Sequence, residues 1–184
     1  MTATKRTAPL KDLDHVPWPE IKDSTGSAAG IPFLLTTLAR GDADSAGSAL
    51  GQLRRRICQF GFVVEQATAA TVPFLWELVR LPQVTCRADI LRLLKSIADT
   101  RQWETTAAAY PKLLHHADNY VAWERAAHHA VHAQRDVLCQ LLADRDAEIV
   151  RATTELAATL TDRTPARGTP NPTPLPVPTT PPDR

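Results

Sequence analysis

Little in this 184-residue chain is aromatic, only 5% of it, while Ala and Leu together supply 49 positions. Strands favour β-branched and aromatic side chains and both abundant residues are strong helix formers, so the composition predicts an all-α fold. Cysteine is equally sparse. Cys58, Cys86 and Cys139 are odd in number, widely separated and without a C-x-x-C spacing. That excludes a disulfide framework and a zinc finger, and fits a reducing compartment. No apolar run is long enough for a signal peptide or a membrane span, the most apolar stretch from Val72 to Val79 being short and interrupted by Glu77. The expectation is a cytoplasmic protein with no membrane contact. Charge of one sign is also missing: 21 Lys and Arg stand against 20 Asp and Glu, a net +1 that makes no global case for nucleic acid or an acidic substrate. Neither G-x-G-x-x-G, a Walker A sequence nor G-x-S-x-G occurs, and Asp42-Ala43-Asp44 opens like a calcium loop but reaches Leu53 where a bidentate Glu is needed. Together these point away from an enzyme and name no cofactor.

Proline, by contrast, is concentrated. Eight of the 21 residues from Thr164 to Arg184 are proline, a composition that cannot build a core and predicts a disordered, polyproline-like tail over 164–184. Pro178–Pro181 matches P-x-x-P, a spacing that a proline-dense segment also produces by chance. At the other end, residues 1–25 read as an irregular capping segment in which Leu10, Leu13 and Trp18 cover one end of the core. Residues 26–163 are left to hold the fold.

Within that span a phrase repeats. Ile31-Pro32-Phe33-Leu34-Leu35, Val72-Pro73-Phe74-Leu75-Trp76 and Tyr110-Pro111-Lys112-Leu113-Leu114 place proline at intervals of 41 and 38 residues. Proline suits a first helical turn, where its missing N–H would be unpaired anyway, so each phrase predicts a helix start. Asp42 or Asp44, Asn119 and Asp146 stand where second helices begin and can cap them. Those second helices carry apolar residues at helical spacing: Ala46, Leu50, Leu53, Ile57; then Ile90, Leu91, Leu94, Ile97; then Ile149, Ala152, Leu156, Leu160.

Helix pairs of about 40 residues with proline near the first start and Asp opening the second resemble HEAT repeats. More narrowly, Val16-Pro17-Trp18, Ile31-Pro32-Phe33-Leu34-Leu35, the Gln59-Phe60-Gly61 corner, Ala67-Thr68 and Val72-Pro73-Phe74-Leu75 are similar to small actinobacterial HEAT-repeat proteins of unassigned function. The corner departs from the His-Gln-Gly usual there. The resemblance implies a short right-handed α-solenoid of about four HEAT-like helix pairs. It also implies a concave surface that binds a protein partner, an inhibitor or immunity-type protein being one version.

Two residue groups could carry function. From Leu50 to Arg101 eight bases meet four acids, whereas from Gln102 to Asp162 five bases meet nine acids. Arg55, Arg92 and Lys95 are therefore the candidate partner-binding patch on the concave side. Nucleic-acid binding by the same basic half is the alternative, disfavoured by the modest number of bases and the lack of interleaved aromatics. Arg54 to Arg56 also suit a helix C-terminus without any partner. The second group is His115, His116, His128, His129 and His132. Glu124, His128 and His132 are spaced four and four, on one stripe of a helix whose buried side reads as Tyr120, Trp123, Ala127 and Val131, with His115 or His116 as a possible addition from the preceding helix. The run lacks H-E-x-x-H, a nearby cysteine and the His-Glu dipeptides of HEAT-like di-iron hydroxylases, so it reads as a solvated, weakly pH-sensitive face and no metal is assigned. Trp76 and Trp123 read as core, and Cys139, inside an apolar helix phrase, as buried and inert.

Overall fold

The computed structural model describes residues 10–112 and 119–162, and they are mostly helical. The chain opens with short 3-10 turns at Lys11–His15, Trp18–Glu20 and Ala28–Gly30. Helices α1 (Ile31–Arg40) and α2 (Ala43–Ile57) follow, then a small antiparallel hairpin of β1 (Cys58–Gln59) and β2 (Val63–Val64). After it come α3 (Gln66–Val79), α4 (Arg87–Asp99), α5 (Gln102–Ala109), α6 (Tyr120–Ala133), α7 (Val137–Leu141) and α8 (Ala147–Asp162). The hairpin is the one departure from an all-helical chain among the described residues.

Capping follows the sequence. Asp42 accepts the Ser45 N–H at 2.8 Å at the start of α2, Asn119 accepts the Ala122 N–H at 3.1 Å at the start of α6, and Asp146 accepts the Glu148 N–H at 2.9 Å at the start of α8. Each satisfies a donor that a helix N-terminus leaves over. The Ser45 N–H and hydroxyl hold the Asp42 carboxyl below its ordinary range.

The repeated prolines do three different things. Pro32 lies in the first turn of α1, as its phrase predicts. Pro73 does not start a helix; it sits inside α3, which begins at Gln66. The earlier start is possible because the Glu65 N–H donates to Thr68 Oγ1 at 2.9 Å while that hydroxyl donates to the Ile57 carbonyl, tying the entry of α3 to the end of α2. Tyr110 closes α5 and Pro111 lies just beyond it, so there the phrase marks a helix end, where a proline opposes continuation. Leu113 and Leu114 lie outside the described residues.

The core is continuous. α1 packs on α2 and α3, α3 on α4 and α6, and α4 on α6 and α8. The periodic positions of α2, α4 and α8 are all buried, as are Leu10, Leu13 and Trp18. The N-terminal segment is pinned along α3: the Leu10 N–H donates to Glu77 Oε1 at 2.8 Å and the Ala67 N–H to the Lys22 carbonyl at 2.9 Å. Trp76 is core, and its indole N–H has no acceptor among the described residues. No described helix is long and apolar enough to cross a membrane.

Candidate functional site

The last turn of α2 carries three consecutive arginines, and the fold uses them unequally. α2 stops at Ile57, and its terminal carbonyls are collected by Ser24: the Ser24 N–H donates to the Arg56 carbonyl at 3.1 Å and Ser24 Oγ to the Arg55 carbonyl at 2.8 Å. Asp23, almost fully buried, accepts the Thr25 N–H at 2.7 Å and the Thr25 hydroxyl at 2.6 Å. Arg56 completes this cluster with a 2.8 Å ion pair to Asp23. A buried carboxylate needs such partners, so Arg56 is a structural residue. Arg54 and Arg55 are exposed and have no carboxylate within ion-pair distance among the described residues. The Arg54 guanidinium lies against Gly61 of the hairpin, and Arg55 folds back towards Gly51 one turn earlier.

Beside them the hairpin reverses through Phe60 and Gly61, with φ of 55° and 83°, and the Phe62 N–H donates to the Gln59 carbonyl at 3.2 Å. Two successive left-handed residues match the twist of the flanking strands. Glycine adopts that conformation freely, but phenylalanine does not. Phe60 is nonetheless 78% exposed and Phe62 50% exposed, their ring centroids 6.1 Å apart. Between hairpin and helix end lies a groove of about 670 Å³ lined by residues that include Thr25, Gln52, Arg54, Arg55, Gln59 and Phe60. Cys58 lies at its base, fully buried, and burial pushes its thiol up to about 11 against the opposing pull of Arg54. It is thus a protonated thiol at neutral pH.

The other two residues of the expected patch do not join this groove. Arg92 is bonded to Asp89 at 2.6 Å within α4 and to Glu148 of α8 at 2.6 Å, and Lys95 to Asp99 at 2.6 Å. Those hydrogen bonds to Asp89 and Glu148 raise the Arg92 guanidinium further above its ordinary value. Their cations are balanced where they stand, so of the three candidates only Arg55 lines the groove. Arg54 and Phe60 are the residues that sequence reading left out of the patch. The Gln59-Phe60-Gly61 corner was visible there, but only the backbone shows that Phe60 points an apolar ring into solvent from a left-handed position.

No family model, curated protein or solved structure matches this chain.

The histidine stripe is reorganised as well. Glu124 is not on a solvated face: it is fully buried and accepts the N–H groups of Trp103 and Glu104 at 3.3 and 2.9 Å. Its two oxygens are committed to the N-terminus of α5. His128 Nε2 lies 3.0 Å from Thr100 Oγ1, whose own proton goes to the Ile97 carbonyl. That ring nitrogen is thus engaged by a hydroxyl lying between α4 and α5. No group of three or more His, Cys, Asp or Glu side chains among the described residues is arranged to hold a metal ion. His115 and His116 lie outside those residues. Trp123 is half-buried rather than core, packing edge-on against Tyr120 at 4.8 Å, while Tyr120 stacks on Trp103 at 4.3 Å. Cys139 is exposed, contrary to expectation: α7 is only five residues long and buries Val137, Leu138 and Leu141, which turns the intervening position outward.

Proposed function

We propose that this chain is a non-enzymatic helical-repeat module of the HEAT type, a short solenoid of about four helix pairs, that binds a protein partner in the cytoplasm. What carries the reading is the groove at the end of α2, where Arg54 and Arg55 lack ion partners among the described residues beside an exposed Phe60. Arginine and aromatic residues dominate binding energy at protein interfaces. The packing of α1 on α3 and of α3 on α6 supports a stacked arrangement, since repeat units bury their apolar faces on neighbours.

The test is affinity capture of the tagged chain from its native host, with and without nuclease, followed by the same capture with Arg54→Glu/Arg55→Glu. The expected result is a nuclease-resistant protein lost with the charge-reversed variant at unchanged helicity by circular dichroism. Material lost on nuclease treatment would instead assign the basic half to nucleic acid. Loss of capture only together with loss of helicity would remove the support for the groove.

A further inference from the structure

We propose that the groove takes an acidic segment of the partner protein, its carboxylates paired with Arg54 and Arg55 and an apolar side chain seated on Phe60. This rests on the protein-binding reading above and specifies the chemistry of what is bound.

Three observations converge on it. The first is charge. The α2 terminus carries three guanidinium groups, the fold neutralises one through Asp23, and two face the groove without a carboxylate among the described residues. Arginine pairs with carboxylates through two parallel N–H donors, so two such groups select acidic side chains rather than generic polarity. The second is Phe60. Its φ of 55° is disfavoured for a residue with a Cβ, and at 78% exposure it returns nothing to the core. Asn or Gly would make the same turn at lower cost. A residue that strains the backbone and, beyond its contact with Phe62, stays largely open to solvent has apolar surface to give to something outside the protein. The third is size. A groove of about 670 Å³ has room for a few side chains. Nucleic acid fits less well, because phosphate-driven binding draws on a row of many cations, whereas Arg56 beside the groove and Arg92 and Lys95 on α4 are already paired.

The substitution Phe60→Asn separates function from folding, because it relieves the turn while removing the apolar seat. Fluorescence anisotropy is measured with a set of labelled hexapeptides, each bearing three Asp or Glu residues and one Phe, Leu or Trp. Their Asn and Gln counterparts and a single-stranded 12-nucleotide DNA serve as comparisons. The expected result is binding of acidic peptides to the unaltered chain, at least tenfold weaker with Phe60→Asn and with Arg54→Gln/Arg55→Gln. The amide counterparts should not bind, and Phe60→Asn should melt at the same or a higher temperature.

The proposal is overturned if no acidic peptide binds or if binding survives both variants. It is equally overturned if the DNA binds more tightly through the same arginines, or if sedimentation shows self-association that the variants abolish, making a second copy the occupant. A protein partner still captured by the variants would sink this inference and leave the protein-binding reading standing. Capture of no protein at all would sink that reading.

Discussion

Glu124 of α6 reaches across to α5 and accepts the Glu104 backbone N–H at 2.9 Å, with the Trp103 N–H on its other oxygen at 3.3 Å. A helix N-terminus leaves several donors unpaired, and here a fully buried carboxylate from another helix supplies the cap. Charge-assisted bonds of this kind contribute about 1.5–3 kcal/mol each when their loss leaves a buried donor unsatisfied. Glu124→Ala should therefore cost about 2–4 kcal/mol and Glu124→Gln, which keeps one acceptor, about half as much. Urea unfolding followed by tryptophan fluorescence reads both, with Trp103 next to the lost cap. A loss below about 0.5 kcal/mol for Glu124→Ala would show that the bonds are replaced by water.

Arg87 does similar work between α3 and α8. Its Nε donates to the Val79 carbonyl at 2.7 Å and its terminal nitrogen pairs with Asp144 at 2.8 Å, the Arg87 side chain being only 12% exposed. The Asp146 N–H, and then Arg87, lower the Asp144 carboxyl below its ordinary range. Arg87→Ala should cost about 2–3 kcal/mol, because it strands the Val79 carbonyl at the end of α3 and an aspartate just before α8. Asp144→Asn should cost less, and a double-mutant cycle should give a coupling of about 1 kcal/mol or more. Additivity of the two changes would mean that the pair contributes through its backbone bonds alone.

What could be read in the sequence was local and periodic. The apolar positions of α2, α4 and α8 and the capping residues Asp42, Asn119 and Asp146 were legible because 3.6-residue spacing and cap chemistry are properties of neighbouring residues. Proline was a weaker guide, because the same phrase opens α1, lies within α3 and follows α5. Side chains whose partners are distant in sequence were not legible. Glu124 finds its donors 20 and 21 residues away, Arg56 finds Asp23 at a separation of 33, and Arg92 finds Glu148 at 56. Arg54 and Arg55 could not be told from Arg56 until that pairing was on view. The site was thus half legible: its arginines announced themselves by charge, but which of them the fold spends was a tertiary matter.

Arg92 and Lys95 supply the control for the groove. Both are paired at 2.6 Å on the surface of α4, and exposed ion pairs contribute about 0–1 kcal/mol. Arg92→Gln/Lys95→Gln should shift the unfolding midpoint by no more than that and leave partner capture unchanged, in contrast to Arg54→Glu/Arg55→Glu. Loss of capture with the α4 pair and retention with the α2 pair would move the binding surface to α4. The comparison needs matched salt, since the contribution of exposed charges falls with ionic strength.

Glu65 gives the fold a pH dependence with a sign opposite to that of an ordinary paired carboxylate. It stands between β2 and α3, and burial, with the nearby Asp23 adding repulsion, pushes its carboxyl up to about 7 from an ordinary 4.5. Arg56 does not relieve it, being bonded to Asp23. The folded state therefore holds a proton that the unfolded chain releases between about pH 4.5 and 7, so this group lowers stability as pH rises through that window. Its penalty is absent below about pH 4.5 and complete above about pH 7. Glu65→Gln removes the titration. It should match the unaltered chain at pH 4 and exceed it at pH 8 by about 1–2 kcal/mol, a value reduced for partial solvent screening. Urea unfolding of both chains at half-unit pH steps reads the difference directly. A difference that stays flat from pH 4 to 8 would show that the Glu65 carboxyl ionises freely in the fold.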